Sequence, residues 1–191
     1  MTDILLLHHI QGLTPGVRAL ADALRAGGHT VHTPDLFEGR TFDSIDEGFE
    51  YARNRGFDTV AAPALAAADD LPDGLVVAGI SFGVMGATRI AVERPGVAGL
   101  LCYEGFADPA QLGTWRDGVP AQVHGMDGDP FFAGEGDLDA ARAFADGRPE
   151  VDVFTYPGSV HLFLDSSLRS HDPAATQLVV ERSLTFLAGL T

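Results

Sequence analysis

The sequence predicts an α/β fold in which one parallel sheet is covered by helices on both faces. Two observations carry this. Short apolar runs alternate with longer amphipathic stretches along the whole chain, and strand–helix alternation is the signature of parallel pairing through helical crossovers. The strand-like runs, such as residues 74–80, are continuously apolar rather than alternating, as expected of strands buried on both faces.

The elements follow in order. Residues 4–7 form the first apolar run and end in His8-His9-Ile10-Gln11-Gly12. Thr14 is placed to cap a helix with Pro15 at its first position, and Gly27-Gly28 to stop it; both are favoured uses of these residues. Residues 29–33 read as a second strand closed by Pro34-Asp35, and residues 37–42 as a loop. A helical region spans about 43–69, with breaks expected near Gly56 and Pro63. Residues 74–80 are a strand, 84–93 a helix, 97–103 a strand, 119–125 a strand and 151–156 the last strand. Helices are expected at about 137–146 and 173–190. Nothing marks a linker or a repeat, so residues 1–191 are read as one domain.

Charge narrows the function. Twelve basic residues, all arginine, stand against 27 acids, a formal net charge of −15. Such a field repels phosphate backbones and anionic lipid surfaces, so neither nucleic acid nor a membrane is an expected partner. Acidic Met1-Thr2-Asp3 and the brevity of the first apolar run do not make a signal segment, and a cytoplasmic location is expected. The single Cys102 lies within an apolar strand and is read as core.

In an open parallel sheet, functional groups collect beyond the carboxyl ends of the strands. There, Gly79-Ile80-Ser81-Phe82-Gly83 matches G-x-S-x-G, with an apolar strand before it and a helix after it. That context raises the serine onto a sharp turn as a nucleophile, with small neighbours that let backbone approach. A serine hydroxyl needs a base, and the base an orienting acid, in the chain order Ser, acid, His for this topology. His161 follows the last strand and is the candidate base. Asp129 and Asp127 follow the preceding strand and both qualify as the acid; Glu104, at the end of residues 97–103, is a third candidate. The oxyanion hole would use the backbone amides of Phe82 and Ile10. His8 and His9 are adjacent on a strand end and point opposite ways, so no shared metal is expected, and no cofactor. Residues 108–118, with Trp115, are the only stretch expected to lean over the site, which predicts an open pocket for short acyl groups.

Several segments together resemble the dienelactone hydrolase family of α/β-hydrolases. Residues 5–15 resemble its first strand and Q-E-I-F-G-L-N-like turn. Pro34-Asp35-Leu36-Phe37 matches P-D-L-F, and Asp129-Pro130-Phe131-Phe132 resembles D-P-F-V. Tyr156-Pro157-Gly158-Ser159-Val160-His161-Leu162-Phe163 resembles Y-P-G-A-x-H-x-F, and Glu181-Arg182 with Phe186 fits the last helix. The resemblance implies a compact α/β-hydrolase fold of six parallel strands in the order 2-1-3-4-5-6 with no lid domain, and hydrolysis of small esters or lactones through an acyl-enzyme. Two positions depart from the family: Ser81 stands where a cysteine is usual, and His9 where a glutamate is usual. His9, Glu104 and Trp115 are candidate pocket residues. The competing reading is a binding module that keeps the scaffold without catalysis.

Overall fold

The computed structural model describes residues 1–190. Six strands, β1 (Asp3–Leu7), β2 (Thr30–His32), β3 (Leu75–Ile80), β4 (Val97–Tyr103), β5 (Ala121–Met126) and β6 (Val151–Tyr156), form one sheet in the order β2-β1-β3-β4-β5-β6. Every pairing is parallel, which matches the expected order. The helices are α1 (Pro15–Ala26), α2 (Ile45–Arg55), α3 (Phe57–Asp69), α4 (Phe82–Glu93), α5 (Asp137–Ala145) and α6 (Pro173–Gly189).

Alternate residues of each strand feed two separate cores. Ile4, Leu6, Val76, Ala78, Leu101 and Tyr103 pack with α1 and α6. Leu5, Leu7, Val77, Leu100, Cys102 and Val123 pack with α3, α4 and α5 on the other face. The period-2 geometry of a strand makes this division, and two covered faces explain the absence of polar alternation in β1 and β3. Cys102 is fully buried, and burial pushes its thiol up to about 12, as suits a core residue.

The caps account for the helix starts. The Thr14 hydroxyl accepts from the Val17 amide, and Asp172 accepts from the amides of Ala174 and Ala175; each satisfies donors that the first turn leaves free. One expected break is absent. The chain turns at Gly56, where φ is +86°, but α3 runs through Pro63 without interruption. Pro63 and Thr59, whose carbonyl the proline leaves without a donor, are both exposed, so water can satisfy the freed group. The fourth helix begins at Phe82, two residues before its expected start, because it opens directly from the Ser81 turn. No helix among the described residues is long and apolar enough to cross a membrane.

Two histidines are sealed into this frame. His8 bonds through Nδ1 to the His9 carbonyl and accepts the Leu36 amide at Nε2. His124 lies among Tyr103, Phe154 and Tyr156 and bonds to the Tyr156 hydroxyl and Gln122. Burial pushes His8 down to about 4 and His124 to about 3, the latter aided by the nearby Arg182 charge. Between those values and the ordinary histidine range of roughly 6.5, the unfolded chain binds protons that the native chain refuses, so stability falls as pH falls. The His124→Gln variant should lose about 1 kcal/mol per pH unit of this slope between roughly pH 6 and 4. Urea midpoints of the two proteins at pH 7, 6, 5 and 4 measure it, and parallel profiles would refute the assignment.

Candidate active site

The turn between β3 and α4 is held by close backbone contacts. Ser81 has φ +48° and ψ −112°, a strained conformation for a residue with a Cβ. A Cβ on Gly79 would lie 2.5 Å from the Gly83 backbone, and one on Gly83 would lie 2.5 Å from the Leu7 carbonyl oxygen. The glycines of the motif thus let α4 start against its own strand and against β1. The Ser81 amide donates to the Tyr103 carbonyl at 2.7 Å, and the Val84 amide donates to the Ser81 carbonyl at 2.8 Å.

Ser81, His161 and Asp129 form one hydrogen-bonded chain. The Ser81 hydroxyl lies 2.8 Å from His161 Nε2, and His161 Nδ1 lies 2.6 Å from Asp129 Oδ2. Since a carboxylate only accepts, Nδ1 carries the proton and Nε2 is free to accept from the serine. Asp129 is fully buried in the turn after β5, and its Oδ1 takes the Phe131 amide at 2.8 Å. The Phe131 ring packs on His161 with centroids 4.6 Å apart. The other two acid candidates are engaged elsewhere. Asp127 accepts the Gly158 amide at 3.2 Å in an exposed turn, and Glu104 accepts the Phe163 amide.

The turn after β1 carries Ile10, which is buried. Neither the Ile10 nor the Phe82 amide has an acceptor among the described residues. The Ile10 carbonyl packs directly on Gly48 of α2, where any Cβ would collide with it. The neighbouring Gln11 carbonyl takes the Phe42 amide at 3.0 Å.

His9 does not line the cavity. Its Nε2 donates to Asp165 Oδ2 at 2.7 Å, while its Nδ1 accepts the Gln11 amide at 3.1 Å. The same Asp165 oxygen accepts the Thr14 hydroxyl, and Oδ1 accepts the amide and hydroxyl of Ser167. These donors hold Asp165 down to about 2 against the opposing effect of burial. A buried clasp thus joins the Ile10 loop to the His161 loop. Asp165 was not singled out from the sequence, and nothing local to it signals a partner 156 residues away.

Glu104 is the second clasp. It is 1% exposed, with φ +57°, and its Oε1 takes the Phe163 amide two residues beyond His161. Leu162, between them, has φ +61°. Three of the four non-glycine residues with positive φ among the described residues, Ser81, Glu104 and Leu162, therefore sit around this one site. Burial holds the Glu104 carboxyl well above the usual carboxylate range, against the pull of the Phe163 amide.

A cavity of about 630 Å³ opens beside Ser81 and His161, within the usual size for small-molecule sites. Phe49 of α2 and Phe57, Ala61 and Ala64 of α3 form part of its wall. This corrects the expectation that residues 108–118 alone would lean over the site. Of that stretch only Leu112 reaches the lining, while Trp115 packs edge-on against Phe144, 5.4 Å away.

The sequence profile of the dienelactone hydrolase family matches residues 2–190. The chain belongs to the dienelactone hydrolase family. It is accordingly a hydrolase of ester bonds. Solved structures share the fold at low identity. A dienelactone hydrolase from Anabaena variabilis has a TM-score of 0.73 at 18% identity, over 99% of this chain and 86% of its own. A dienelactone hydrolase-like promiscuous phosphotriesterase from metagenomic libraries has a TM-score of 0.73 at 17% identity, over 100% and 87%. Thermogutta terrifontis esterase 2, phosphonylated by cyclosarin, has a TM-score of 0.74 at 15% identity, over 99% and 83%. No curated protein sequence matches the chain.

The Glu104 clasp gives a prediction. Glu104→Ala leaves the Phe163 amide without its acceptor and frees the His161 loop, so kcat for ester hydrolysis should fall by roughly 10–100-fold, the usual consequence of a loosened catalytic geometry. Glu104→Gln keeps a carbonyl acceptor at the same place and should recover most of the rate. Steady-state kinetics of the two folded variants decide it; equal losses would show that the acceptor is not what matters.

Proposed function

We propose that this hydrolase uses Ser81 as a nucleophile to cleave small carboxylic esters or lactones through an acyl-enzyme. The observation that carries the reading is the continuous chain from Ser81 through His161 to a buried Asp129. The Ser81 oxygen attacks the carbonyl carbon as His161 Nε2 takes its proton. The carbonyl oxygen becomes an oxyanion, and the amides of Ile10 and Phe82 hold it. The intermediate collapses, the ester C–O bond breaks, and the proton on His161 passes to the departing alkoxide. A lactone keeps that alcohol tethered to the acyl group. Water then attacks the acyl-enzyme, giving its proton to His161, and the acid leaves as Ser81 regains a proton. Asp129 keeps Nδ1 protonated and steadies the positive ring, without itself taking the proton.

Serine does not need to be an anion before attack, because the proton leaves during the attack. The cysteine-activating glutamate usual in the family therefore has no task here, and His9 at that position serves the Asp165 clasp instead. The competing reading, a binding module without catalysis, gives no use for a continuous hydrogen-bonded chain from Ser81 to a buried Asp129.

A fluorophosphonate probe followed by peptide mass spectrometry tests the nucleophile. An adduct on Ser81 is expected, and folded protein that never labels would overturn the nucleophile assignment. Ser81→Ala should reduce turnover of p-nitrophenyl acetate by on the order of 10⁴–10⁶-fold with the fold intact. Asp129→Asn should cost about 10⁴-fold by favouring the wrong histidine tautomer, whereas Asp127→Asn should cost little. A larger loss from Asp127→Asn would move the acid.

A further inference from the structure

Beside the hydrolytic residues, the cavity holds a charge pattern that ester cleavage itself does not use. Four acids line it: Glu104, Asp137, Glu135 and Asp58. Its one arginine, Arg89, is already matched, 3.0 Å from Glu93 and 4.0 Å from Asp58. Glu135 and Asp58 are exposed, while Asp137 at the start of α5 is partly buried and accepts the Phe106 amide at 2.8 Å. Glu104 is buried, and its Oε2 has no partner among the described residues. Its carboxyl is held well above the usual carboxylate range by burial, so the negative charge of the cavity comes from Asp137, Glu135 and Asp58. Between the acids the wall is aromatic, with Phe57, Phe82, Phe106 and Phe131 among its residues.

We propose that this cavity selects esters whose non-reacting end carries a positive charge and rejects those whose non-reacting end is a carboxylate. The proposal rests on the ester-hydrolase reading above and names its substrate class. An ammonium or quaternary ammonium group meets negative charge from the acids and the electron-rich faces of aromatic rings, the two features that recognise such cations. A carboxylate would face the like charges of Asp137, Glu135 and Asp58 with no unmatched cation to receive it. The chain's net charge of −15 acts in the same direction at longer range.

The experiment uses three p-nitrophenyl esters of matched acyl length, ending in trimethylammonium, tert-butyl or carboxylate. At low ionic strength and pH 7.5, kcat/KM should follow the order cationic, neutral, anionic, with the first and last differing by about tenfold or more. Salt at 0.5 M should narrow the ratio by screening. The Asp137→Asn/Glu135→Gln double variant should narrow it as well, and exposed Glu135→Gln alone should do so in part if the Asp137 change loosens the Phe106 turn. A carboxylate ester cleaved as fast as the cationic one overturns the proposal, as does a preference indifferent to both salt and substitution. Loss of the hydrolase reading would look different, with no turnover of even the neutral ester and no label on Ser81. Calorimetry with the matching non-hydrolysable amides then decides charge selection by itself: tighter binding of the cationic amide supports it, and equal or weaker binding refutes it.

Discussion

The close approach of α4 to the ends of β1 and β3 is the constraint on which the site depends. Gly83 rests against the Leu7 carbonyl, and Gly79 against the Gly83 backbone. A methyl group at either position would push the helix off the sheet. With the helix seated, Ser81 is forced to positive φ, its amide is tied to Tyr103, and the Phe82 amide is left without an acceptor. The cost of the strained residue, of order 1–3 kcal/mol, is offset by the two cores that hold β3 and α4 in place.

The other functional groups come from loops, and these loops are tied to one another rather than only to the sheet. Asp165 joins the His161 loop to His9 and Thr14 at the end of β1. Its approach needs Gly16, where any Cβ would collide with the carboxylate. Glu104 joins the same loop to the end of β4. His161 is therefore held from two directions, while Asp129 fixes its ring. Preorganisation of this kind is what lets a histidine act without first paying to be ordered.

Much of this could be read from the chain, and the limits have physical reasons. Strands buried on both faces leave continuous apolar runs, so β1, β3 and β4 were visible in outline. Ser81, Asp129 and His161, which meet in one hydrogen-bonded chain, stood out as candidates because each sits in a motif with local steric or turn chemistry. The clasps could not, since His9 and Asp165 are far apart in sequence and histidine-to-carboxylate pairing leaves no periodic trace. Proline at position 63 reads as a break because propensity knows nothing of the solvent that satisfies the freed carbonyl of Thr59. Trp115 reads as a residue over the site for a related reason: a large aromatic in a polar loop gives no sign of which neighbour, here Phe144, will cover it.

The placement of α2 and α3 has a consequence for how such a protein can change. The residues proposed to move protons follow β3, β5 and β6, whereas Phe49, Phe57, Ala61 and Ala64 come from the crossover between β2 and β3. One part of the wall is thus encoded on a stretch of chain that contributes nothing to the Ser81–His161–Asp129 chain. Ala61 and Ala64 set the room beside Ser81, and neither shares a hydrogen bond with the Ser81–His161–Asp129 chain. Side chains on that helix can be enlarged, shortened or recharged while the relay keeps its distances. Divergence toward new esters has an open route there, through a wall that can be rewritten without touching the machinery it faces.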